Sequence, residues 1–220
     1  MSTVLITGAN RGIGLELCRL YAARGDEVLA VCRRGSPQLQ PLGVRVIEDI
    51  DVTRDGDAER LRSELGERRI DGLIHNAGLL VPDDFGSAQV ENVRRQIEVN
   101  AIAPLRLTQV LASRIVDGGK VAIVTSRMGS MADNGSGGQY GYRMSKAAVN
   151  AAGKSMSIDL AGRGISVVLL HPGWVRTGMT GNRGDVTADE AARGLVERID
   201  ELDASRSGRF VHASGDELPW

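Results

Sequence analysis

"TGANRGIG", residues 7–14, decides how the rest of the chain is read. It follows a short apolar run, "VLIT" (4–7), and opens a stretch with helical spacing, 12–24. Gly8, Gly12 and Gly14 give the pattern G-x-x-x-G-x-G. Glycines at a strand-to-helix turn let the backbone approach a pyrophosphate closely. The helix N-terminus then offers free N–H groups and the positive end of its dipole. A turn with a purely structural purpose would use the same residues, so the motif is weighed against the remaining chain.

Beyond this turn, short Val- and Ile-rich runs alternate with longer amphipathic stretches. Strands are predicted at 4–7, 27–32, 44–49, 70–76, 120–126, 165–171 and 208–213, and helices near 12–24, 55–68, 88–116, 139–163 and 187–203. Near-continuous apolar strands suit a parallel sheet covered on both faces. Alternation of strand and helix implies right-handed crossovers. The expected fold is therefore α/β: one doubly wound Rossmann domain over residues 1–220, with a central parallel sheet of about seven strands. Pro104 falls inside the stretch 88–116, where it removes a backbone donor and should bend or loosen the helix around Asn100 and Ala101.

The bulk numbers fit this frame. The chain has 220 residues, 42% of them hydrophobic, and a net charge of −1, which suits one domain with a substantial core. That charge gives no general attraction to nucleic acid or to a membrane surface. Cys18 and Cys32 have no metal-ligand spacing around them and imply no disulfide framework. No apolar run approaches the roughly 20 residues that span a bilayer, and the N-terminus reads as a first strand. A cytoplasmic location is expected.

The end of the second strand bears on the cofactor. An acid there would hold the ribose hydroxyls of NAD, whereas a cation would hold the 2′-phosphate of NADP. Asp26 and Glu27 lie at the start of that strand, on the wrong edge, while Arg33 and Arg34 follow its end and Arg11 sits inside the glycine turn. Fixed cations beside a phosphate dianion favour NADP(H) over NAD(H).

Several further motifs follow in order: "HNAG" (75–78), "EVNAIAP" with Asn100, "VTSRMG" with Ser126, "YRMSK" with Tyr142 and Lys146, and "HPGWVRTGM" (171–179). Together with "TGANRGIG" they resemble the short-chain dehydrogenase/reductase family nearly end to end. His75 stands where the family carries the first Asn of N-N-A-G. The length, "TSRMGSM" and the ending "GDELPW" resemble the carbonyl-reductase-like group related to bacterial C-factor and insect Sniffer proteins. The resemblance implies cofactor contacts from Gly8, Asn10, Arg11, Gly12, Ile13, Gly14 and Arg33. It also implies them from Asp51, Val52, Asn76, Ala77, Gly78, Pro172, Gly173, Val175 and Thr177, together with Tyr142 and Lys146. It implies a catalytic set of Asn100, Ser126, Tyr142 and Lys146. In that set Ser126 holds a carbonyl oxygen, Lys146 binds the nicotinamide ribose and Asn100 holds a water. No metal is implied.

Tyr142 and Lys146 are four residues apart and share one helix face. An ammonium beside a phenol favours the phenolate, and an oxidised nicotinamide would add positive charge; together they would bring a group with an ordinary pKa near 10 toward the working range. Tyr140, six residues from Lys146, fits that face less well and is assigned to the pocket wall or the surface. Thr125 is an alternative to Ser126. His75, His171 and His212 sit at strand ends without a partner pattern and are read as structural.

The segment 127–139 should form one wall of a substrate site, with Met128 and Met131 as adaptable apolar contacts. Trp174 and Met179 could cover the other side. The short connection after Thr177 suggests an open site and broad substrates. The expected activity is NADPH-dependent transfer of hydride between the nicotinamide and a small carbonyl or alcohol. The alternative is an NADP(H)-binding signalling or regulatory protein with little turnover. A homodimer or homotetramer through the long helices is a further expectation.

Overall fold

The computed structural model describes residues 1–220. Seven parallel strands form one sheet: β1 (Thr3–Thr7), β2 (Glu27–Val31), β3 (Arg45–Ile47), β4 (Ile70–His75), β5 (Ile115–Val124), β6 (Ser166–His171) and β7 (Arg209–His212). Their spatial order is β3-β2-β1-β4-β5-β6-β7. The chain therefore winds outward from β1 to β3, returns to β4 beside β1, and winds outward again. That reversal opens a crevice at the carboxyl ends of β1 and β4, where open α/β sheets bind ligands.

Side chains alternate along each strand, so both faces are apolar. One face carries Leu5, Leu29, Leu73, Val121, Ile123 and Val167, packed in a cluster with residues of α2 (Asp55–Leu65), α4 (Ala103–Leu111) and α5 (Tyr140–Asp159). The other carries Val4, Ile6, Val28, Ala30, Ile74, Ala122, Val168 and Leu170, packed with α1 (Gly12–Ala23) and α6 (Ala188–Asp200). Both clusters exclude water, and truncating one of their buried leucines to alanine costs about 2–5 kcal/mol.

The predicted helix 88–116 is the main departure from expectation. It divides into α3 (Val90–Ile97), a π-turn (Glu98–Ile102), α4 and a short 3₁₀ turn ending at Arg114. The amide of Ala103 bonds to the carbonyl of Glu98, five residues back. Pro104 lies in the first turn of α4, where its missing N–H is tolerated. Its absent donor also denies the Asn100 carbonyl the usual partner four residues on. Strand β5 begins at Ile115 rather than 120, with a register irregularity against β4 where Gly118 and Gly119 intervene. Those glycines conceal the early start from a reading of hydrophobic pattern alone.

Candidate active site

The glycine turn lies at the carboxyl end of β1. Gly8 has φ +65, and a Cβ there would come within 2.9 Å of the Ala77 Cα. A Cβ on Gly14 would strike the Gly8 carbonyl. Only glycine permits this packing of turn, helix and neighbouring strand. Arg11 caps α1 in an extended conformation and makes no side-chain capping bond, so the first amides of the helix stay free. Asn10 Nδ2 donates to the Arg34 carbonyl at 2.9 Å, joining the turn to the loop after β2. Arg11, Arg33 and Arg34 are exposed, and none forms an ion pair with a carboxylate. A glycine cradle, free helix amides and unpaired cations fit a phosphate-rich dinucleotide.

Asn76 has a use that the sequence did not suggest. Its Nδ2 donates to the carbonyls of Thr7 and Gly8, both at 3.1 Å. The Thr7 hydroxyl accepts from the amides of Asn76 and Ala77. The end of β4 is thus stapled to the glycine turn, and the Asn76 side-chain amide is taken up within the protein. Asp51 lies beyond β3. Partial burial opposes its charge, but bonds from Thr53 and the nearby Arg33 and Arg54 outweigh this and hold the carboxyl below its ordinary range. Val52 packs against the core. Ile13 is half-buried beside the second core cluster.

The candidate catalytic side chains come from three elements: the end of β5, α5 and the π-turn. Ser126 follows β5 and is buried; its Oγ accepts from the Met128 amide at 3.1 Å. Thr125, the alternative, is committed to Asn150 at 2.7 Å. Helix α5 carries Tyr142 and Lys146. Its first turn is capped from a distance by Asp83, whose carboxylate accepts from the amides of Tyr140 and Gly141 at 2.5 and 3.2 Å. A carboxylate there complements the helix dipole. No sequence motif marked Asp83, because it lies 57 residues from Tyr140. The loop after Ser126 approaches α5 at Gly129, where a Cβ would sit 2.7 Å from the Lys146 carbonyl carbon.

Lys146 is buried; its Nζ donates to the Val124 carbonyl at 2.9 Å and lies 5.6 Å from the centre of the Tyr142 ring. Burial lowers this ammonium to about 8. Burial also pushes the Tyr142 phenol up to about 12, against the pull of the Ser126 hydroxyl. In the absence of the nicotinamide's charge, burial outweighs the neighbouring ammonium at the phenol. In the protein by itself desolvation moves both groups toward their neutral forms: the phenol is neutral, while the ammonium keeps its charge at pH 7 and loses it above about 8.

Asn100 is buried in the π-turn. Its Nδ2 donates to Leu79 O at 2.8 Å and Ser145 Oγ at 2.9 Å, and its Oδ1 accepts from the Leu79 amide at 2.7 Å. Both Nδ2 hydrogens are therefore used within the protein, and Oδ1 accepts one bond.

The segment after β6 closes the crevice. Gly173 has φ +90 beside Pro172, and Val175 is buried and bridges to Val186. Thr177 caps a 3₁₀ turn, Gly178–Thr180, and its Cγ2 would lie 3.4 Å from a Cβ on Gly12. The Met179 Cε approaches Gly78 from the other side. The lid is short and pinned at its base by the Arg176 amide on Val186 O and the Asp185 amide on Trp174 O. Trp174, Met179 and Met131 are exposed around the opening. Tyr140 leans toward Phe85 and not toward Lys146. The substrate-side loop is also held by the chain's last residue: the Trp220 carbonyl accepts from the Ala132 amide and the Ser130 hydroxyl.

The histidines have structural partners. His75 is buried against the Thr108 hydroxyl at 2.8 Å, and burial lowers it to about 3. His171 and His212 pack edge to face at 5.1 Å, and Ser214 bonds to the ring of His212. No cluster of three or more His, Cys, Asp or Glu is arranged to hold a metal.

A doubly wound sheet with a glycine turn at its switch point and Ser, Tyr and Lys converging beside it defines a dinucleotide-dependent oxidoreductase. The chain belongs to the short-chain dehydrogenase family, whose model matches residues 2–188. Over its whole length it is 42% identical to 1-hydroxy-2-glutathionyl-2-methyl-3-butene dehydrogenase of Rhodococcus sp. (strain AD45), which it also covers completely. It is 45% identical to C-signal of Myxococcus xanthus over 69% of this chain and 93% of that protein. Among solved structures it resembles the carbonyl reductase Sniffer of D. melanogaster, with a TM-score of 0.91, 26% identity and full coverage of both chains. It also resembles a carbonyl reductase from Pseudomonas aeruginosa PAO1 in complex with NADP, with a TM-score of 0.88, 39% identity and full coverage of both. The resemblance to the carbonyl-reductase-like group is therefore borne out. No helix is long and apolar enough to cross a membrane.

Proposed function

We propose that the protein reduces a carbonyl substrate, or oxidises the matching alcohol, with NADP(H) in preference to NAD(H). The observation that carries this reading is the placement of Ser126 and Tyr142 beside the buried Lys146, on the same sheet edge as the glycine turn. Gly8, Arg11, Gly12, Ile13 and Gly14 would hold the pyrophosphate, with Asn10 and Asn76 shaping their turn. Arg33 would hold the 2′-phosphate, and Asp51 and Val52 would border the adenine. Ala77, Gly78, Pro172, Gly173, Val175 and Thr177 would border the nicotinamide half.

When bound, NADPH supplies hydride to the carbonyl carbon. Tyr142 donates its phenolic proton to the carbonyl oxygen as the charge on that oxygen grows. Ser126 donates a hydrogen bond to the same oxygen and holds it at the phenol. Lys146 would bind the nicotinamide ribose, and its ammonium, with the positive charge of an oxidised nicotinamide, would lower the phenol from the high value set by burial. Asn100, in the π-turn, would hold a water that links Lys146 to solvent. Arg33, free of any carboxylate partner, favours the extra phosphate of NADP.

The experiment is Tyr142→Phe. The variant should lose roughly 10²–10⁴-fold in NADPH-dependent carbonyl reduction, while NADPH binding, followed by its fluorescence, persists. Unchanged turnover would reject the role given to Tyr142. A second reading, a regulatory protein with little turnover, draws support from the likeness to C-signal. Absence of NADPH oxidation across a panel of aldehydes and ketones would favour it. Exposed Val90, Ile102, Leu105 and Met144 on the long helices support pairing into a homodimer or homotetramer. The two free, buried cysteines suit a reducing cytoplasm.

A further inference from the structure

The loop between Ser126 and α5 borders an open surface cavity of about 320 Å³, lined by Arg127, Met128, Asp133, Ser136 and Arg143. Its lining includes none of Ser126, Tyr142 and Lys146 and meets the first of them through Met128. Arg127 follows Ser126, Arg143 follows Tyr142, and the Met128 amide bonds to the Ser126 hydroxyl. Its charges do not cancel. Arg127 pairs with Asp133, Nε to Oδ2, at 2.5 Å. Arg143 has no carboxylate partner: it donates to Gly138 O at 3.1 Å and Ser136 Oγ at 2.9 Å, with longer contacts to Gly137 O and Met128 O. Two guanidiniums and one carboxylate leave one net positive charge on the cavity wall, although the chain as a whole carries −1.

Most other arginines of the protein face an acid, whereas Arg143 is fixed by neutral acceptors alone. A guanidinium held in this way keeps its charge available to an anion at little cost in order. Arg127 is the more open partner, with its side chain 58% exposed, so that solvent leaves room for it to turn from Asp133 toward an incoming anion.

We propose that this cavity is a subsite for a carboxylate carried by the substrate, distant from the reacting carbon. This rests on the carbonyl-reductase reading above and names a substrate class for it: acidic aldehydes and ketones over their neutral counterparts. Arg127 and Arg143 attract the carboxylate and Asp133 repels it, so two substitutions act in opposite directions.

The test compares 4-carboxybenzaldehyde with its methyl ester, which differ by one charge and share the same aldehyde. Arg127→Gln lowers the acid-to-ester ratio of kcat/KM by about tenfold, the worth of one charge-assisted hydrogen bond. Asp133→Asn raises that ratio several-fold, and neither variant changes the ester's kcat/KM by more than about twofold. Calorimetry of the acid and the ester without turnover gives the same order of affinities. Equal shifts for acid and ester, or a lower ratio in Asp133→Asn, overturn the subsite. Asp133→Asn decides alone if Arg127→Gln does not fold. If neither aldehyde is reduced but Arg127→Gln still weakens binding of the acid, the reductase reading fails and the subsite stands. If the acid binds no better than the ester to the unaltered protein, the subsite fails.

Discussion

Replacing Asn76 tests how the cofactor turn is held. The Asn76 amide gives one hydrogen bond to Thr7 O and one to Gly8 O. Each contributes a net 0.5–1.5 kcal/mol or so, giving roughly 1–3 kcal/mol for the pair. In a chain of this size 1 kcal/mol moves Tm by about 2–4 °C, so Asn76→Ala should melt roughly 6 °C lower. Asn76→Asp should be worse, because it sets a carboxylate against two carbonyl oxygens and offers no donor. The Gly8 carbonyl also packs against Gly14, so a loosened staple disturbs the cradle itself. NADPH affinity should fall about tenfold, which removes about 1.4 kcal/mol of the stabilisation a fixed NADPH concentration provides. Melting curves with and without NADPH separate the two effects. The staple is refuted if both variants melt like the parent, or if the aspartate variant is no worse than the alanine variant.

Three further outcomes are expected. Arg33→Asp should lower the NADPH-to-NADH preference by about tenfold or more, since a fixed cation is exchanged for an anion at the 2′-phosphate; an unaltered ratio of kcat/KM values would reject the contact. His75, lowered from 6.5 to about 3 by burial, stays neutral in the folded chain while the unfolded chain takes up a proton. The stability it contributes is therefore complete above pH 6.5 and is lost as pH falls toward 3. His75→Asn should flatten the urea midpoint between pH 4 and 6.5, and a curve parallel to the parent's would contradict this. Lys146, lowered from 10.5 to about 8 by burial, costs stability while charged, and that cost is relieved as pH rises from 8 to 10.5. Lys146→Met should raise the Tm of the cofactor-free protein at pH 7, with an advantage that shrinks by pH 10; a lower Tm at pH 7 would show that the Val124 bond outweighs desolvation.

Most of the sheet was legible because its strands are buried on both faces and read as apolar runs. β5 escaped at its start, where Gly118 and Gly119 imitate a turn. Ser126, Tyr142 and Lys146 were legible as motif members, and the topology explains why they meet: each lies at or near the carboxyl edge of the sheet. What was hidden is the support around them. Asp83 reaches α5 across a long span of chain, and Trp220 reaches the substrate loop from the far end of the chain. Neither contact leaves a local pattern. The burial that raises the Tyr142 phenol in the cofactor-free protein was hidden as well, because spacing reveals a neighbouring charge but not the dry surroundings that oppose it.

The π-turn at 98–102 has a consequence for how this region can change. One extra residue per turn puts α3 and α4 out of phase by about 100°, the angular step of one residue. Val90–Ile97 can thereby lie along α5 while Ala103–Leu111 turns its apolar stripe to the sheet. Point substitutions leave that offset intact. Removing a single residue would erase it, rotating one half of the rod against the other and dragging its buried asparagine out of the crevice. Length, more than identity, is what this stretch has to conserve.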